Sequence, residues 1–220
     1  MDAFDIIGPI MVGPSSSHTA GACRIGKYAR GILSEEPMNA VIKLSGSFKK
    51  TYKGHGTDKA IIAGLLGFNE DDKRIRDSIE IAKKEGRNFS IVEEDIENTH
   101  ANTTEITMTR SNGEKVTIQG ASIGGGNILI TKINDAKVKI NGLFDVLVVG
   151  HVDMPGMIYN ISKILYEWKI NINGLSLHRE EKSGNAIAVI EVDDKIDEKL
   201  CEEMKLVENV NYVTLLHSLK

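Results

Sequence analysis

The order of strand and helix patterns in the last third of the chain is the feature that most restricts its possible folds. Apolar runs predict four strands there, at 143–149, 170–177, 186–192 and 212–216. Two helices alternate with them: one is opened by Asp153-Met154-Pro155-Gly156 and has an apolar face at Met157, Ile161, Ile164 and Leu165, and the other covers 196–204. The order βαββαβ within about 75 residues predicts a ferredoxin-like unit.

A glycine- and serine-rich loop, Gly13-Pro14-Ser15-Ser16-Ser17-His18-Thr19, precedes the first predicted helix. Proline disfavours helix in the residue before it and serine is a good N-cap, so the helix should begin at this loop. Its apolar face is predicted at Ala22, Ile25, Ala29 and Ile32. Free N–H groups and the helix dipole favour anions at a helix N-terminus, which makes the loop a candidate anion site. A serine-rich helix start without a ligand is the alternative.

Two more glycine-rich loops, at 54–58 and 122–127, interrupt the short elements of the first 142 residues. Thr57 or Asp58 is predicted to cap a helix that runs to Leu66. The other predicted elements are a helix through Ile75, Ile79 and Ala82 that ends at Gly86, and strands at 4–7, 40–44, 89–92, 104–109, 115–118 and 128–130.

The turn at Asn112-Gly113 joins two strands of alternating polarity and is a strong hairpin signal. The pattern changes after Asn141-Gly142, where we place a domain boundary. We therefore expect an α+β protein, with a mixed α/β domain over residues 1–142 and the βαββαβ domain over 143–220.

Composition narrows the class of protein. Hydrophobic residues make up 41% and charged residues 26%, which is typical of a globular core. The net charge is −4 and basic residues are not concentrated in one segment, which argues against nucleic-acid and membrane partners. The N-terminus has no basic and apolar signal pattern, and no stretch approaches about 18 apolar residues. We expect a cytoplasmic protein.

The two cysteines, Cys23 and Cys201, limit the metal chemistry of the chain. In a reducing compartment we expect them to be small buried apolar residues and not a disulfide. A 4Fe–4S cluster normally needs three or four thiolates, and the C-x-x-C spacing of a zinc site is absent. We therefore predict no metal site within this chain.

His18 and His55 are candidates for proton transfer, because histidine titrates near neutral pH. Gly54 and Gly56 flank His55 and would let the backbone approach a ligand closely, although a turn histidine without a catalytic role is the alternative. A hydrolase triad is not favoured, since Ser17 is adjacent to His18 and no G-x-S-x-G sequence is present.

Several other features have weaker functional signals. The glycines at 124–126 lack the strand and helix context of a dinucleotide site, and His100 with Asn102 is a weak pair in isolation. Three lysines on predicted helices are interpreted as solvated charges: Lys59, Lys83 and Lys84. Three histidines near strand ends of the second domain are interpreted as surface or interface residues: His151, His178 and His217.

Four motifs of the first domain together resemble those of iron–sulfur L-serine dehydratases. In chain order they are Gly13–Thr19 with Gly21 and Arg24, then Lys53–Asp58, His100–Thr103 and Ser122–Gly126. They occur in the family order, although the family often has proline where this chain has Ala101. The domain is also similar to the allosteric substrate-binding domain of some phosphoglycerate dehydrogenases, whose ligand is an anion.

The C-terminal unit is similar to ACT domains, which are small regulatory modules. The turn with Asp153, Pro155 and Gly156 after its first strand carries the resemblance, together with the element order. ACT domains commonly pair their sheets and bind amino acids at the resulting interface. The resemblance therefore implies an amino-acid effector near these three residues and dimerisation through this domain.

The resemblance implies the beta subunit of an enzyme that converts L-serine to pyruvate and ammonia without pyridoxal phosphate. Its 4Fe–4S cluster would be held by an alpha subunit. We expect the catalytic residues to be Ser17, His18, Thr19 and His55, and the substrate-binding residues to be Ser15, Ser16, Ser17, Thr57, Asp58 and Asn102. Which histidine is the base, and whether the base lies on the alpha subunit, is left open.

The alternative is a non-catalytic amino-acid sensor, built from an anion-binding domain and an ACT domain. An assembly scaffold that keeps the motifs without their chemistry is a further possibility. The Ser-Ser-Ser-His-Thr run favours the enzyme, because a purely regulatory domain would not need it.

Overall fold

The computed structural model describes residues 9–179 and 182–219, so the strand predicted at 4–7 lies outside the described residues. The chain forms two compact units. The first consists of the described residues up to Asn134 together with Lys139–Asn141, and the second of Asp135–Val138 and the residues from Gly142 onward. The domain boundary placed after residue 142 from the sequence stays a prediction.

The serine-rich segment, predicted as a loop, forms a capped helical turn. Ser15 is extended, and its Oγ accepts the backbone N–H of His18 at 3.1 Å, as an N-cap does. A π-helical turn, Ser16–Gly21, follows and leads directly into helix α1, Ala22–Leu33. The predicted apolar face of α1 is fully buried in the core: Ala22, Ile25, Ala29 and Ile32.

The segment at 54–58 is helical apart from one residue, so the prediction of a loop there is wrong. Strand β1 is Asn39–Leu44, and two helices follow it, α2 at Gly46–His55 and α3 at Thr57–Leu65. Only Gly56 separates the two helices, with a φ of 68° that favours glycine. Helix α2 escapes prediction because Phe48 is its single buried residue, which leaves no apolar periodicity.

The predicted cap of α3 is also wrong. Gly56 occupies the N-cap position, and no side chain forms a capping hydrogen bond there. Thr57 and Asp58 are instead the first two helical residues. The Asp58 Oδ1 accepts the N–H of Lys59 at 2.8 Å, and the Thr57 side chain is fully buried.

Helices α1 and α3 cross in direct backbone contact. A Cβ built at Gly64 would lie 2.1 Å from the carbonyl oxygen of Cys23. A Cβ built at Gly26 would lie 2.3 Å from the carbonyl oxygen of Ile61. Glycine at these two positions is therefore required for the close approach of the helices.

The contacts at the two ends of this helix pair show that α1 and α3 run in the same direction. At one end, Thr19 Oγ1 donates to the carbonyl oxygen of His55 at 3.1 Å. At the other end, Arg30 Nη1 donates to the carbonyl oxygen of Leu65 at 3.3 Å. The segments that precede the two helices are consequently held side by side.

One six-stranded sheet supports these helices, in the order β2-β1-β3-β4-β5-β6. Its further strands are β2 at Asn88–Glu93, β3 at Thr103–Thr109, β4 at Lys115–Gly124, β5 at Asn127–Ile133 and β6 at Ala136–Ile140. Strands β1 and β2 are parallel, whereas the pairs β1–β3, β3–β4 and β4–β5 are antiparallel. Helix α1 packs on β4, where Ile25 approaches Gly120.

The remaining predictions for the first unit agree with the structure in part. The hairpin at Asn112-Gly113 is confirmed, with Gly113 at a φ of 88°. The third predicted helix is confirmed as α4, Ser78–Lys84, although a 3-10 helix, Lys73–Asp77, forms its predicted first turn. The third glycine loop is shorter than predicted, because β4 continues to Gly124. Strand β6 was not among the predicted elements.

The second unit has the predicted βαββαβ order. Its elements are β7 at Asp145–Val152, α5 at Met157–Glu167, β8 at Ile172–Arg179, β9 at Asn185–Val192, α6 at Glu198–Lys205 and β10 at Val210–Leu216. The strands are antiparallel in the order β10-β7-β9-β8. Ile161, Ile164 and Leu165 of the predicted α5 face pack into a core with apolar residues of α6 and of the sheet, and Met157 is also buried.

All helices within the described parts of the chain are short. The longest of them, α1, has 12 residues. None of the helices in residues 9–179 and 182–219 has both the length and the apolar character that crossing a membrane requires.

We expect Gly64→Ala to lower the free energy of unfolding by about 1–3 kcal/mol, because the added methyl group would meet a backbone oxygen that cannot move without separating α1 from α3. Gly54→Ala is the matched control. Gly54 is also helical, but a Cβ there would meet nothing within 4 Å. That substitution should leave stability unchanged or raise it by up to about 1 kcal/mol. Urea unfolding of both variants measures the difference, and equal stability of the two would contradict the close crossing.

Candidate active site

His18 lies in the π-helical turn with a hydroxyl group beside each ring nitrogen. Its Nδ1 is 3.4 Å from Ser15 Oγ, and its Nε2 is 3.1 Å from Ser47 Oγ. Because Ser15 Oγ already accepts the backbone N–H of His18, its own proton is free to point toward Nδ1. This arrangement suits a neutral imidazole that carries its proton on Nε2. The Phe48 ring completes the surroundings in a T-shaped contact, with ring centroids 5.4 Å apart.

His55, the last residue of α2, lies obliquely against the His18 ring. The ring centroids are 4.8 Å apart and the ring planes are inclined by 43°. Thr19 Oγ1 donates to the carbonyl oxygen of His55, which ties the end of α2 to the π-helical turn. The Nδ1 of His55 is buried and has no hydrogen-bond partner within the described residues. Because an unpartnered buried nitrogen is costly, this atom is suited to bind a ligand group.

Burial and a neighbouring charge both act on the protonation of His18. Desolvation lowers the pKa of His18 below its usual value of 6.5, and repulsion from His55 lowers it further. The His18 ring is therefore neutral at pH 7, which is the state in which it can accept a proton.

Ser47 and Gly21 connect the third and fourth motifs to the His18–His55 pair. The N–H of Ser47 donates to the carbonyl oxygen of Ala101 at 2.6 Å. The N–H of Ser122 donates to the carbonyl oxygen of Asn102 at 3.0 Å. Gly21 is so close to Ser122 that a Cβ built on it would lie 2.2 Å from Ser122 Oγ. The four motifs thus meet in one place, although they are spread over more than 100 residues of sequence.

Arg24 stabilises the segment that leads into the first motif through two hydrogen bonds. Its Nη1 donates to the carbonyl oxygen of Gly126 at 3.0 Å, and its Nε donates to Glu70 Oε1 at 2.8 Å. The backbone oxygen of Glu70 accepts the N–H of Val12 at 2.7 Å. This half-buried pair therefore joins the turn after β4 to the residues that enter the site.

A cleft of about 300 Å³ opens beside His55. Three cationic side chains line it, Lys53 from α2, Lys59 from α3 and Arg76 from the 3-10 helix. The rest of its lining is uncharged or histidine: Val12, Gly13, Pro14, Thr19, Gly54, His55, Gly56 and Ile75. The cleft is therefore positively charged, and none of the described residues that line it is acidic.

Four of the residues predicted from the sequence are in direct contact in the structure. They are Ser15, His18, Thr19 and His55. Ser16 and Ser17 lie in the π-helical turn and are half-buried, but they do not line the cleft.

The other predicted substrate-binding residues lie around this cluster. Thr57 is fully buried, and its Oγ1 has no hydrogen-bond partner in the described part of the chain. The Asp58 carboxylate bonds its own helix turn. The Asn102 Nδ2 donates to the carbonyl oxygen of Ser122 at 3.5 Å, so its side chain contacts the fourth motif.

Sequence reasoning missed three residues of the site. Ser47 lies in Ser45-Gly46-Ser47 directly after β1, and such a strand-to-helix turn is the signal that could have found it. Lys59, interpreted as a solvated charge, and Arg76 reach the cleft from separate elements. No local pattern in the sequence brings these two residues together.

A 4Fe–4S cluster does not fit the residues of this chain. Cys23 is buried in the first unit, and its Sγ is 3.5 Å from the carbonyl oxygen of Phe68. Burial raises the pKa of the Cys23 thiol to about 12, and burial also raises the pKa of Cys201, in the second unit. Thiolate ligands are therefore disfavoured at both positions. Within residues 9–179 and 182–219, no three His, Cys, Asp or Glu side chains are grouped so as to hold a metal ion.

The turn that carries the predicted regulatory residues begins α5 in the second unit. Gly156 is its N-cap, at a φ of 92°, and Pro155 is exposed. The Asp153 Oδ2 accepts the N–H of Ser183 at 3.2 Å and a hydrogen bond from Arg179 Nη1 at 3.2 Å. These two donors lower the pKa of Asp153, with the Ser183 N–H contributing more. The carboxylate therefore stabilises the turn itself.

Comparisons with known proteins identify the family. The profile described as "Serine dehydratase beta chain" matches residues 2–132. The chain is 42% identical over 211 residues to the "Probable L-serine dehydratase, beta chain" of Bacillus subtilis (strain 168), with 96% of each chain covered. It is 38% identical over 199 residues to the "L-serine dehydratase, beta chain" of Peptoniphilus asaccharolyticus, with 90% of each covered. This chain belongs to the serine dehydratase beta chain family. The resemblance stated from its four motifs is confirmed.

Two further similarities concern the domains. The chain is 25% identical over 213 residues to the D-3-phosphoglycerate dehydrogenase of Methanocaldococcus jannaschii, which covers 88% of this chain and 39% of that protein. The ACT domain from GTP pyrophosphokinase of Chlorobium tepidum aligns with 34% of this chain and 97% of its own, at 18% identity and a TM-score of 0.29. The ACT-like fold rests on the topology of the second unit, whose element order and strand order are those of a ferredoxin-like βαββαβ unit.

We expect the His18 ring to titrate below pH 6.5 in an NMR titration, and His55→Gln to raise its midpoint, because glutamine keeps much of the bulk but removes the charge. The unfolded chain, with the usual pKa of 6.5, binds more protons than the folded chain between the folded-state pKa and pH 6.5. Neutral His18 therefore contributes stability that is present above pH 6.5 and is lost as the pH falls through the folded-state pKa.

His178→Gln, in the second unit, is the matched control and should leave the His18 midpoint unchanged. His18→Gln identifies the signal by removing it. If the midpoint were the same in the His55→Gln variant as in the parent chain, the charge coupling between the two rings would be contradicted.

Proposed function

We propose that this chain works with a cluster-bearing alpha chain as an L-serine dehydratase, which converts L-serine to pyruvate and ammonia without pyridoxal phosphate. Both relatives described above are beta chains of L-serine dehydratases and align over 90% or more of their length. The structural observation that carries the proposal is the His18–His55 pair, where two imidazole rings and all four motifs meet. The enzyme works in the cytoplasm, where its cysteines stay reduced.

In this proposal the 4Fe–4S cluster belongs to the alpha chain. The beta chain has only two cysteines, both are buried, and burial disfavours their thiolate forms. When bound there, a 4Fe–4S cluster with an open iron position would act as a Lewis acid toward the substrate hydroxyl. The beta chain then contributes proton-handling and orienting groups. The active site is completed only when the two chains assemble.

The histidine pair is suited to carry a single proton. His18 is neutral at pH 7, and the two close rings disfavour a double positive charge. Either ring can therefore take up the proton that leaves the α-carbon of serine, and the base is one of the two or a group of the alpha chain. Loss of water gives aminoacrylate, which rearranges and hydrolyses to pyruvate and ammonia.

Hydroxyl and amide groups around the pair are candidates to orient the substrate. Ser15 and Thr19 hold the two histidines in place through hydrogen bonds. Ser16 and Ser17 lie in the first turn of a helix, where N–H groups and the dipole favour a negatively charged ligand or a polar group of the substrate. Thr57, Asp58 and Asn102 are the remaining candidates.

The second unit is proposed to bind an amino-acid effector and to pair two beta chains, as ACT domains commonly do. The turn at Asp153, Pro155 and Gly156 is the candidate contact for the effector. The proposal is supported by the left-handed conformation of Gly156 and by the well-bonded carboxylate of Asp153, which give the turn a defined shape. Analytical ultracentrifugation of the chain with and without L-serine would test both points.

A non-catalytic amino-acid sensor is the second candidate function. The similarity to a phosphoglycerate dehydrogenase over 88% of this chain favours it. A sensor would bind an amino acid as the isolated beta chain and would add nothing to the activity of an alpha chain. Measurement of pyruvate formation by the alpha chain alone and by both chains together separates the two candidates.

We expect anaerobic co-expression with the alpha chain to give pyruvate from L-serine only when both chains are present. His18→Ala should lower turnover of the assembled complex by about 100-fold or more, because a group that accepts or holds the reacting proton is lost. His178→Ala removes a histidine of the second unit and should retain the parent turnover. Parent-like turnover by an assembled His18→Ala complex would rule out the role given to His18, and full activity from the beta chain alone would overturn the division of labour.

A further inference from the structure

We propose that the cationic cleft formed by Lys53, Lys59 and Arg76 binds the carboxylate of the amino-acid substrate. This inference rests on the proposed function and specifies which groups of the beta chain bind the charged end of L-serine. It differs from the sequence-based prediction of an anion site at the serine-rich loop of the first motif. Lys59 directly follows the second motif and Arg76 lies outside all four motifs, so neither residue is part of a motif.

The charges of the cleft are not paired with acidic side chains of the described residues. Lys53, Lys59 and Arg76 form no salt bridge in the described part of the chain, and Lys53 Nζ lies over the Tyr52 ring, 5.6 Å from its centroid. By contrast, the neighbouring Arg74 is paired with Asp72. Three like charges around one cleft repel one another, and a bound anion would relieve that repulsion.

The backbone adds to the attraction for an anion at this place. Helix α3 begins at Thr57, directly after Gly56, so the positive end of its dipole lies between Lys53 and Lys59 in the chain. A Cβ built at Gly54 or Gly56 would meet nothing within 4 Å, so these glycines leave the mouth of the cleft open. The ligand can therefore approach the first turn of α3 without displacing a side chain.

The size and walls of the cleft suit a small amino acid better than a large anion. Its volume of about 300 Å³ is at the lower end of the range for ligand sites, roughly 300–1,000 Å³. Val12, Pro14 and Ile75 add apolar surface to its lining. These features fit the carboxylate and the short carbon skeleton of L-serine.

Carboxylate binding here connects directly to the chemistry of the histidine pair. His55 and Thr19 line the same cleft, and the His55 ring contacts His18. A substrate held by its carboxylate would thus have its α-carbon on the side of the proton-handling groups. Negative charge that develops next to the carboxylate when the α-proton leaves would be stabilised by the same three cations.

The serine hydroxyls are less suited to this role. Ser15 Oγ already accepts a backbone N–H and lies beside the His18 ring, and neither Ser16 nor Ser17 lines the cleft. We therefore assign the carboxylate to the cations and leave the hydroxyls of Ser16 and Ser17 for uncharged groups of the substrate or of the alpha chain.

The first test measures KM for L-serine with the assembled alpha–beta complex. The double variant Lys59→Met/Arg76→Met should raise KM by about tenfold or more, the factor expected for loss of a charge-assisted hydrogen bond. Lys83→Met/Lys84→Met removes the same charge from α4, outside the cleft, and should leave KM unchanged. Arg76→Lys retains the charge and should stay close to the parent KM, which separates loss of the cation from loss of the fold.

The second test uses propionate, which has the carboxylate but neither the amino nor the hydroxyl group. It should inhibit the parent complex in competition with L-serine and should lose this inhibition in the Lys59→Met/Arg76→Met variant. Unchanged KM and unchanged inhibition in that double variant would overturn the assignment.

If the parent complex makes no pyruvate, the proposed function fails, and the cleft can still be tested on the beta chain alone. Propionate should then shift the NMR signals of His55 in the parent chain but not in the double variant. Equal shifts in both chains, or none in either, would refute the carboxylate site.

Discussion

The backbone contact between α1 and α3 is the constraint on which the site depends. Glycine at positions 26 and 64 allows the two helices to cross without intervening side chains. Because the helices run in the same direction, the π-helical turn before α1 and the end of α2 before α3 are brought together, and His18 meets His55 there. Any loss of close packing at the crossing would therefore separate the two rings, although neither glycine touches them.

The site combines a polar cluster with a separate charged surface, and the two have different physical requirements. The surroundings of His18 are partly desolvated, which lowers the pKa of its ring and strengthens the hydrogen bonds of Ser15 and Ser47. The cations of the cleft are exposed, so they can attract an anion without the cost of burying a charge. The same ring of His55 borders both regions, so in the proposed function it would link substrate binding to proton transfer.

Local patterns in the sequence predicted the elements whose apolar residues repeat regularly. The buried face of α1, the hairpin at Asn112-Gly113 and the whole order of the second unit were predicted in this way. Helix α2 was missed because it has one buried apolar residue and two glycines, so that tertiary contacts and not periodicity determine it. Ser47 and Arg76 were missed for a related reason. Their partners are distant in sequence, as for Ser47, which lies 29 residues from His18, and only the fold specifies such pairs.

The single residue between α2 and α3 makes the spacing of this segment a property of the site. Successive residues of an α-helix are rotated by about 100° around its axis. If a residue were inserted at Gly56 and α3 still began at the same point in space, every side chain of α3 would be turned by that angle. Lys59 would then leave the cleft, and Gly64 would leave its contact with α1. Chains that share this arrangement should therefore keep the length of this segment. Insertions or deletions between His55 and Thr57 would then be a sign of lost function in related sequences.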